Sequence, residues 1–295
     1  AVQLIRSARA AARLMEILDR AHSSSAPEHD TRPCTEPILL ARNLTFGWPN
    51  HPSVGSIDSL ELTPGKTIAI VGHSGIGKST LLYTLSGMLA PQYGSVQLSG
   101  RDAYRLDRAE VSRELILTAE DAHIFNTTVL ENIRVARADV TADEARDLLE
   151  RAGLGSWLDA LPDGVHTILG SESSSISGGE RRRLLLARCL ASRAHFLLLD
   201  EPGEHLDAKT ADALISDLLK AGGDDRGVIV VTHRLSALAA ADEVLIIGRT
   251  PDDPPASPAH VTARGTHEHL IATVPEYAWA VAQEGEEAEN DDEHR

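Results

Sequence analysis

The sequence lacks any apolar run of the roughly 18 residues that a membrane-spanning helix needs. Its apolar runs, such as residues 196–199 and 228–231, have the length of a strand instead. The chain is nevertheless 42% hydrophobic, and this supplies enough apolar side chains for a core. A chain that is disordered throughout is therefore excluded, and 295 residues are enough for one full domain or two small ones.

Cysteine and positive charge are also scarce. The 2 cysteines, Cys34 and Cys189, are far apart, which gives neither the spacing of a zinc site nor a disulfide framework, so we expect a reducing compartment. The 28 Lys and Arg residues against 44 Asp and Glu residues give a net charge of −16, which argues against nucleic acid as a partner. Because only four of the 28 are lysines, a lysine inside a motif is seldom there by chance.

The two ends of the chain differ from its middle. Residues 2–19 carry apolar side chains near a 3.6-residue period, which predicts a helix, and the polar, proline-containing residues 21–37 predict a linker. Residues 284–295 hold seven acids and one arginine, a net −6, and predict a disordered acidic tail. Since the first residue is Ala1 and not Met, we expect the chain to be a piece of a longer polypeptide.

Strand-like and helix-like segments alternate between these ends. The predicted strands are 67–71, 96–98, 115–118, 196–199, 228–231 and 244–247, and the predicted helices are 78–89, 142–151, 181–192 and 206–220. Residues 251–258 predict the loop of a long hairpin. This alternation predicts an α/β fold in which a mostly parallel sheet is covered by helices on both faces.

A glycine-rich motif, G-x-x-x-x-G-K-[ST], lies where a strand passes into a helix. It consists of Gly72, His73, Ser74, Gly75, Ile76, Gly77, Lys78, Ser79 and Thr80. Glycines let backbone N–H groups turn inward around phosphate oxygens, and the helix N-terminus adds partial positive charge. In this pattern Lys78 would reach the β- and γ-phosphates and the Ser79 hydroxyl would bind Mg²⁺.

Two further segments carry polar chemistry. The predicted strand 196–199 ends in Asp200 and Glu201, which can hold Mg²⁺ and polarise an attacking water, although an apolar strand that ends in an acidic helix cap is common in proteins. Ser177, Gly178 and Gly179 open an arginine-rich helix and form a second anion-binding nest. One nucleotide does not need two such nests from one subunit, whereas two chains that face each other would use both.

Together these motifs resemble the nucleotide-binding domain of ABC transporters over about residues 38–283. Residues 72–80 match the Walker A motif and 196–201 match Walker B with the catalytic glutamate. Residues 176–180, Ile-Ser-Gly-Gly-Glu, match the family signature, which usually ends in Gln where this chain has Glu180. Residues 204–207 match the D-loop that ends in Asp207.

Two isolated side chains and one departure complete the resemblance. His233, after the predicted strand 228–231, matches the switch histidine, and Trp48 matches the aromatic residue that stacks on adenine. Alone, such a tryptophan is usually a core residue and such a histidine an ordinary surface residue. The family's Q-loop glutamine aligns with Glu120, which we expect to serve near Mg²⁺ and the attacking water in its place.

The resemblance implies a fold, two ligands and a dimer. The fold is a P-loop NTPase core with an antiparallel β subdomain and an α-helical signature subdomain at about residues 121–190. The ligands are ATP and Mg²⁺, with Glu201, His233, Lys78 and Glu120 as catalytic residues and Ser79, Asp200 and Glu120 at the metal. Two domains would sandwich two ATP molecules, each held by residues 72–80 of one subunit and by the signature and Asp207 of the other.

The N-terminal residues refine the type of transporter. In ABC exporters the last membrane helix runs into the cytosol and leads into this domain, and residues 1–20 resemble that extension. We therefore expect a membrane domain in the same polypeptide and a position at the cytoplasmic face of the plasma (inner) membrane. Residues 118–125, 129–133 and 204–207 are similar to the CydC subunit of the CydDC exporter, which implies a CydD-like partner, thiol export and a role in cytochrome bd assembly.

Other interpretations stay open at this point. The chain could be a regulatory ATP-binding subunit whose own site turns over poorly, which intact Glu201 and His233 disfavour and Glu120 permits. A soluble ABC ATPase of DNA repair or translation is disfavoured by the exporter-like residues 1–20 and by the acidic charge. His267 and His269 could suggest a metal site, but a spacing of two on a helix points them apart.

Overall fold

The structure is a computed structural model that describes most of the chain from Asp30 onward. The described residues are 30, 32, 36–118, 123–170, 176–204, 206, 208–221, 225–250, 252–254 and 257–293. The predicted helix at 2–19, most of the predicted linker, Glu120 and Asp207 lie outside the described residues.

Strands and helices alternate as the sequence predicts. The strands are β1 Leu39–Phe46, β2 Gly55–Leu62, β3 Thr67–Val71, β4 Tyr93–Leu98, β5 Arg101–Asp102, β6 Leu115–Thr118, β7 Phe196–Asp200, β8 Gly227–Val231, β9 Glu243–Gly248 and β10 His260–Gly265. The α-helices are α1 Lys78–Leu85, α2 Arg108–Glu114, α3 Val129–Arg134, α4 Ala142–Arg151, α5 Gly155–Ala160, α6 Gly178–Ala191, α7 Ala208–Ala221, α8 His267–Thr273 and α9 Pro275–Glu293.

A six-stranded sheet in the order β10-β9-β3-β8-β7-β6 forms the centre of the molecule. The pairs β9–β3, β3–β8, β8–β7 and β7–β6 are parallel, and only the edge strand β10 is antiparallel, paired with β9. Every residue of β3 and of β8 is buried, which is typical of parallel strands covered on both faces. The predicted α/β fold with a mostly parallel sheet is confirmed.

The two faces of this sheet belong to two separate cores, because successive strand residues point to opposite sides. Ile68 and Leu198 join a core with α1 and a four-stranded antiparallel sheet of order β2-β1-β4-β5. Ala69 and Leu197, one residue along in each strand, join a core with α4, α6 and α7. Helices α3 to α6 follow β6 and precede β7 in the chain.

Two predicted boundaries are wrong. The helix predicted at 78–89 ends at Leu85, because Gly87 adopts a left-handed φ of 67° and a Cβ there would lie 2.2 Å from the carbonyl oxygen of Ala103. The predicted disordered tail differs from the structure, in which α9 continues through Glu293. Glu284, the first residue of that tail, accepts hydrogen bonds from the backbone N–H groups of Leu235 (2.7 Å) and Ser236 (3.1 Å).

Other local predictions hold. Thr141 caps α4 by accepting a hydrogen bond from the N–H of Glu144 (3.2 Å). The loop at 251–258 joins the antiparallel strands β9 and β10, as predicted for a long hairpin. Within the part of the chain that the structure describes, no helix is both long enough and apolar enough to cross a bilayer.

Candidate functional site

The glycine-rich loop connects β3 to α1 at the carboxyl edge of the parallel sheet. Gly77 caps α1 in a left-handed conformation, φ 106°, and, since it has no side chain, it forms no capping hydrogen bond with the first N–H groups of the helix. Lys78 is buried, and its Nζ donates hydrogen bonds to the carbonyl oxygens of Gly72 (2.8 Å) and His73 (3.2 Å). The loop is thereby folded around its own lysine, with backbone N–H groups left to face an anion.

Close packing on one side of this loop explains two of its glycines. A Cβ on Gly72 would lie 2.3 Å from the carbonyl oxygen of Ile247, and one on Gly77 would lie 2.2 Å from Val54 Cγ1. The Cβ position of Gly75 has no neighbour within 4 Å. The loop is therefore fixed against the sheet on one side and open on the other, a cradle that fits a phosphate group.

Glu201 lies at the centre of a charged cluster beyond the end of β7. Its Oε1 lies 3.8 Å from Lys78 Nζ, and its Oε2 lies 2.9 Å from His233 Nδ1. The hydrogen bond that His233 shares with the accepting carboxylate of Glu201 raises the pKa of His233 above its ordinary value, because a carboxylate stabilises the imidazolium ion. The structure thus brings together three residues that the sequence placed in one site.

A Mg²⁺ ion fits this edge of the sheet only if protein side chains and substrate phosphates coordinate it together. Asp200, the last residue of β7, has one buried carboxylate oxygen, and Ser79 lies exposed in the first turn of α1. Among the described residues, no group of three or more His, Cys, Asp or Glu side chains could hold a metal alone. Since Mg²⁺ is commonly bound by one or two protein ligands together with substrate phosphates, this donor set fits the ion.

Trp48 lies on the loop between β1 and β2, beside α1. Its side chain is half exposed, at 50%, and its ring centroid lies 6.2 Å from that of Tyr83 on α1. Gln92 Nε2 donates hydrogen bonds to the carbonyl oxygens of Trp48 (3.1 Å) and His51 (3.0 Å), which fixes the loop. An exposed aromatic face next to the helix that follows the glycine-rich loop is suited to stack on a flat ring.

The signature residues form a helix cap. Ser177 caps α6, and a reciprocal capping box joins Ser177 Oγ to the N–H of Glu180 (3.2 Å) and Glu180 Oε2 to the N–H of Ser177 (2.8 Å). The Glu180 carboxylate, predicted to contact a nucleotide, is engaged in this cap. Among the described residues, no hydrogen bond or ion pair joins 176–180 to 72–80 of the same chain.

Sequence reasoning missed one residue that contacts this cluster, Arg182, and named its partner Glu204 only as part of the D-loop match. Arg182 on α6 donates a hydrogen bond to the carbonyl oxygen of Glu201 (2.6 Å), and it forms an ion pair with Glu204 (2.9 Å). The one available signal was the run of arginines after the signature, where three consecutive arginines offer no means of choosing among them.

Comparison with known proteins decides the family. A profile of the ABC transporter family matches residues 56–204, just over half of the chain, and this range includes the glycine-rich loop, the signature and Glu201. The chain belongs to the ABC transporter family. The matched region is the ATPase domain of such a transporter, with the P-loop NTPase core, the antiparallel sheet and the helices of that domain.

Relatives and a solved structure agree on this family. The chain is 30% identical to the mitochondrial potassium channel ATP-binding subunit of Rattus norvegicus, over 97% of this chain and 39% of that protein. It is 32% identical to the mitochondrial iron-sulfur clusters transporter ATM1 of Kluyveromyces lactis, over 83% of this chain and 32% of that protein. A bacterial Atm1-family ABC exporter with ATP bound superposes with a TM-score of 0.73 and 27% identity, over 88% of this chain and 43% of that one.

The chain spans about two fifths or less of the length of each of these proteins. What a whole transporter moves and where it does so are therefore separate questions from the family.

The contact between Glu201 and His233 predicts a pH effect. Replacing Glu201→Gln should lower the pKa of His233 toward its ordinary value, which NMR titration of the imidazole would measure. Because the pKa is raised in the folded state, the stabilisation is full below the unfolded value of 6.5 and is lost as pH rises through the folded value. The free energy of unfolding should therefore respond more to the substitution at about pH 5.5 than at about pH 8.5.

Glu276→Gln on α9 is the matched control for this titration, because it removes a carboxylate that forms no contact with His233. An unchanged pKa of His233 in Glu201→Gln would contradict the assignment of its shift to Glu201.

Proposed function

We propose that this chain binds and hydrolyses ATP with Mg²⁺ and thereby powers an ABC exporter. The observation that carries the proposal is the position of Glu201, whose two carboxylate oxygens face Lys78 Nζ and His233 Nδ1 beside a glycine-rich phosphate cradle. A base, a hydrogen-bonding imidazole and a lysine at one anion site are the parts that phosphoryl transfer to water requires.

Each residue then has a distinct role in the reaction. Trp48 stacks on adenine, the loop 72–80 binds the phosphates, and Lys78 neutralises charge on the β- and γ-phosphates. The Glu201 carboxylate takes a proton from water while the water oxygen bonds to the γ-phosphorus and the bond to the β-phosphate oxygen breaks. His233 stabilises the transferred group by hydrogen bonding. When bound, Mg²⁺ would add neutralising charge at the phosphates, and Ser79, Asp200 and Glu120 are the residues that would hold it.

A second ATP-binding subunit completes the proposed site. We infer an anion nest at the signature residues 177–179, and within the described residues no hydrogen bond or ion pair joins them to the loop 72–80 of the same chain. In a dimer, this nest, together with Asp207, would bind the γ-phosphate of the ATP molecule held by the partner chain. Two ATP molecules would then be enclosed between the two chains. Closure and reopening would move the membrane domains, which we place in the same polypeptide at the cytoplasmic face of the plasma membrane.

We further propose that the transporter is CydC-like, with a CydD-like partner and thiol export as its role in cytochrome bd assembly. Support for this comes from the similarity of residues 118–125, 129–133 and 204–207 to that subunit. The two relatives and the solved exporter described above carry other names, so transport measurements decide the cargo.

A regulatory subunit with a weakly hydrolytic site is the second candidate. The observation that favours it is Glu120 at the position of the family's Q-loop glutamine, since a carboxylate adds negative charge near the γ-phosphate. The contacts of Glu201 favour the hydrolytic role instead.

The base assignment makes the first functional prediction. Glu201→Gln should reduce ATP turnover by roughly two to four orders of magnitude and leave ATP binding intact, because the amide cannot accept the proton. Phosphate release by the transporter assembled with its partner subunit measures turnover, and equilibrium binding of ATP to the purified chain measures binding. Glu150→Gln, an exposed carboxylate on α4, should change neither. Substantial turnover by the Glu201→Gln variant would falsify the assignment.

The assignment of Trp48 as the residue that stacks on adenine makes the second functional prediction. Trp48→Ala should weaken ATP binding by roughly 5- to 150-fold, the effect of losing about 1–3 kcal/mol of base–aromatic stacking. The control is Trp279→Ala, which removes a more exposed tryptophan from α9, where its side chain is 67% exposed. Equal Kd values for the two variants would contradict stacking on Trp48.

The CydC-like type of transporter makes the third functional prediction. In vesicles that contain the whole transporter and its partner, ATP should drive accumulation of radiolabelled cysteine or glutathione. Transport should stop when the catalytic bases of both subunits are replaced. Replacing each base separately distinguishes the two candidates, because a regulatory subunit would tolerate Glu201→Gln. If neither thiol accumulates in the vesicles or stimulates ATP turnover, the CydC-like assignment is rejected, while the assignment of an ATPase domain stands.

A further inference from the structure

Glu201 is held in a strained backbone conformation. Its φ is +46°, in the left-handed region that residues other than glycine seldom adopt. Such conformations persist only where surrounding contacts determine them, and they are concentrated at functional sites. The contacts that hold this residue therefore decide where its carboxylate points.

Contacts fix the Glu201 backbone on both sides. Its N–H donates to the carbonyl oxygen of Val231 in β8 (2.9 Å), which anchors the residue to the central sheet. Its carbonyl oxygen accepts hydrogen bonds from Arg182 Nη1 (2.6 Å) and from the N–H of Glu204 (3.2 Å). The second anchor thus comes from α6, an element outside the sheet.

Arg182 itself is held by charge. Its Nη1 and Nη2 lie 2.9 Å and 3.0 Å from Glu204 Oε2, and its side chain is only 11% exposed. A guanidinium can serve two acceptors at once because its donors lie in a rigid plane, which an ammonium lacks. Glu204 neutralises the buried arginine and aims it at the carbonyl oxygen of Glu201.

We propose that Arg182, held by Glu204, is a positioning residue that fixes the backbone of Glu201 and so aims its carboxylate at the attacking water. The same helix begins at Ser177, so the residue that opens the signature and the residue that anchors the base belong to one rigid element. Displacement of α6 would thus change the orientation of the general base Glu201 in the same chain. This inference rests on the proposed function of Glu201.

Steady-state ATPase kinetics of the transporter assembled with its partner subunit test the proposal. Arg182→Gln should lower kcat roughly 10- to 100-fold, the size of effect expected when a catalytic group is misplaced by about an ångström. KM for ATP should stay within about twofold, because the phosphate loop is untouched. Arg182→Lys, which keeps the charge and loses the planar fork, should give an intermediate kcat.

Arg183→Gln is the matched control. It removes the next arginine on the same helix, whose Nη1 donates to the carbonyl oxygen of Gly153 (2.9 Å) and not to Glu201. Its kcat should equal that of the unmodified chain. A kcat for Arg182→Gln equal to that of Arg183→Gln, or a loss matched by an equal rise in KM, would overturn the proposal.

Two further variants keep the outcome interpretable. If Arg182→Gln does not fold, Glu204→Gln serves instead, since it retains an acceptor and removes the charge that aims Arg182; it should lower kcat by less, with KM unchanged. An unchanged kcat in that variant would then overturn the proposal. Glu201→Gln separates the two claims, because loss of turnover there with normal turnover in Arg182→Gln rejects the positioning role alone.

Discussion

Burial of the central strands on both faces is the constraint from which the site follows. All residues of β3 and β8 and the apolar residues of β7 are buried, and Thr67 at the start of β3, whose hydroxyl bonds to Asp242, is the one polar side chain among them. Polar chemistry becomes possible only where these strands end. Since the three strands run parallel, the loop after Val71, the acids that end β7 and the residues after Val231 all emerge at one edge.

The electrostatics of the site run against those of the whole chain. The protein carries a formal charge of −16, yet its phosphate cradle combines helix N–H groups with Lys78, one of only four lysines. Lys78 is also 3.8 Å from a carboxylate, and His233 shares that carboxylate. Before any anion binds, the Glu201 carboxylate therefore offsets the positive charge of Lys78 and is hydrogen-bonded to His233. A γ-phosphate would offset part of that positive charge instead, and this would leave the carboxylate free to act on water.

Features that are encoded within a few neighbouring residues could be predicted from the sequence. The loop 72–80 is defined by glycines and a lysine at fixed offsets between a short apolar strand and a helix, and all of that information lies within a few residues. The same is true of Thr141 as a cap and of the buried strands β7 and β8. The helix end at Gly87 was missed because the conflicting atom, the carbonyl oxygen of Ala103, belongs to another segment. Charge composition likewise suggested disorder beyond Glu284, while its contacts with Leu235 and Ser236 come from the fold.

The sequence by itself determined the class of fold, the phosphate loop and the identities of the acid pair, because these depend on periodicity, on glycine spacing and on residue type. Only the tertiary structure decided which arginine of α6 reaches the active edge. Arg182 and Glu201 lie on different elements, and nothing in a run of three arginines indicates which one faces inward. Helix rotation and packing against the sheet select it, since they place the Arg182 donors within hydrogen-bond distance of the Glu201 carbonyl oxygen and of Glu204 Oε2.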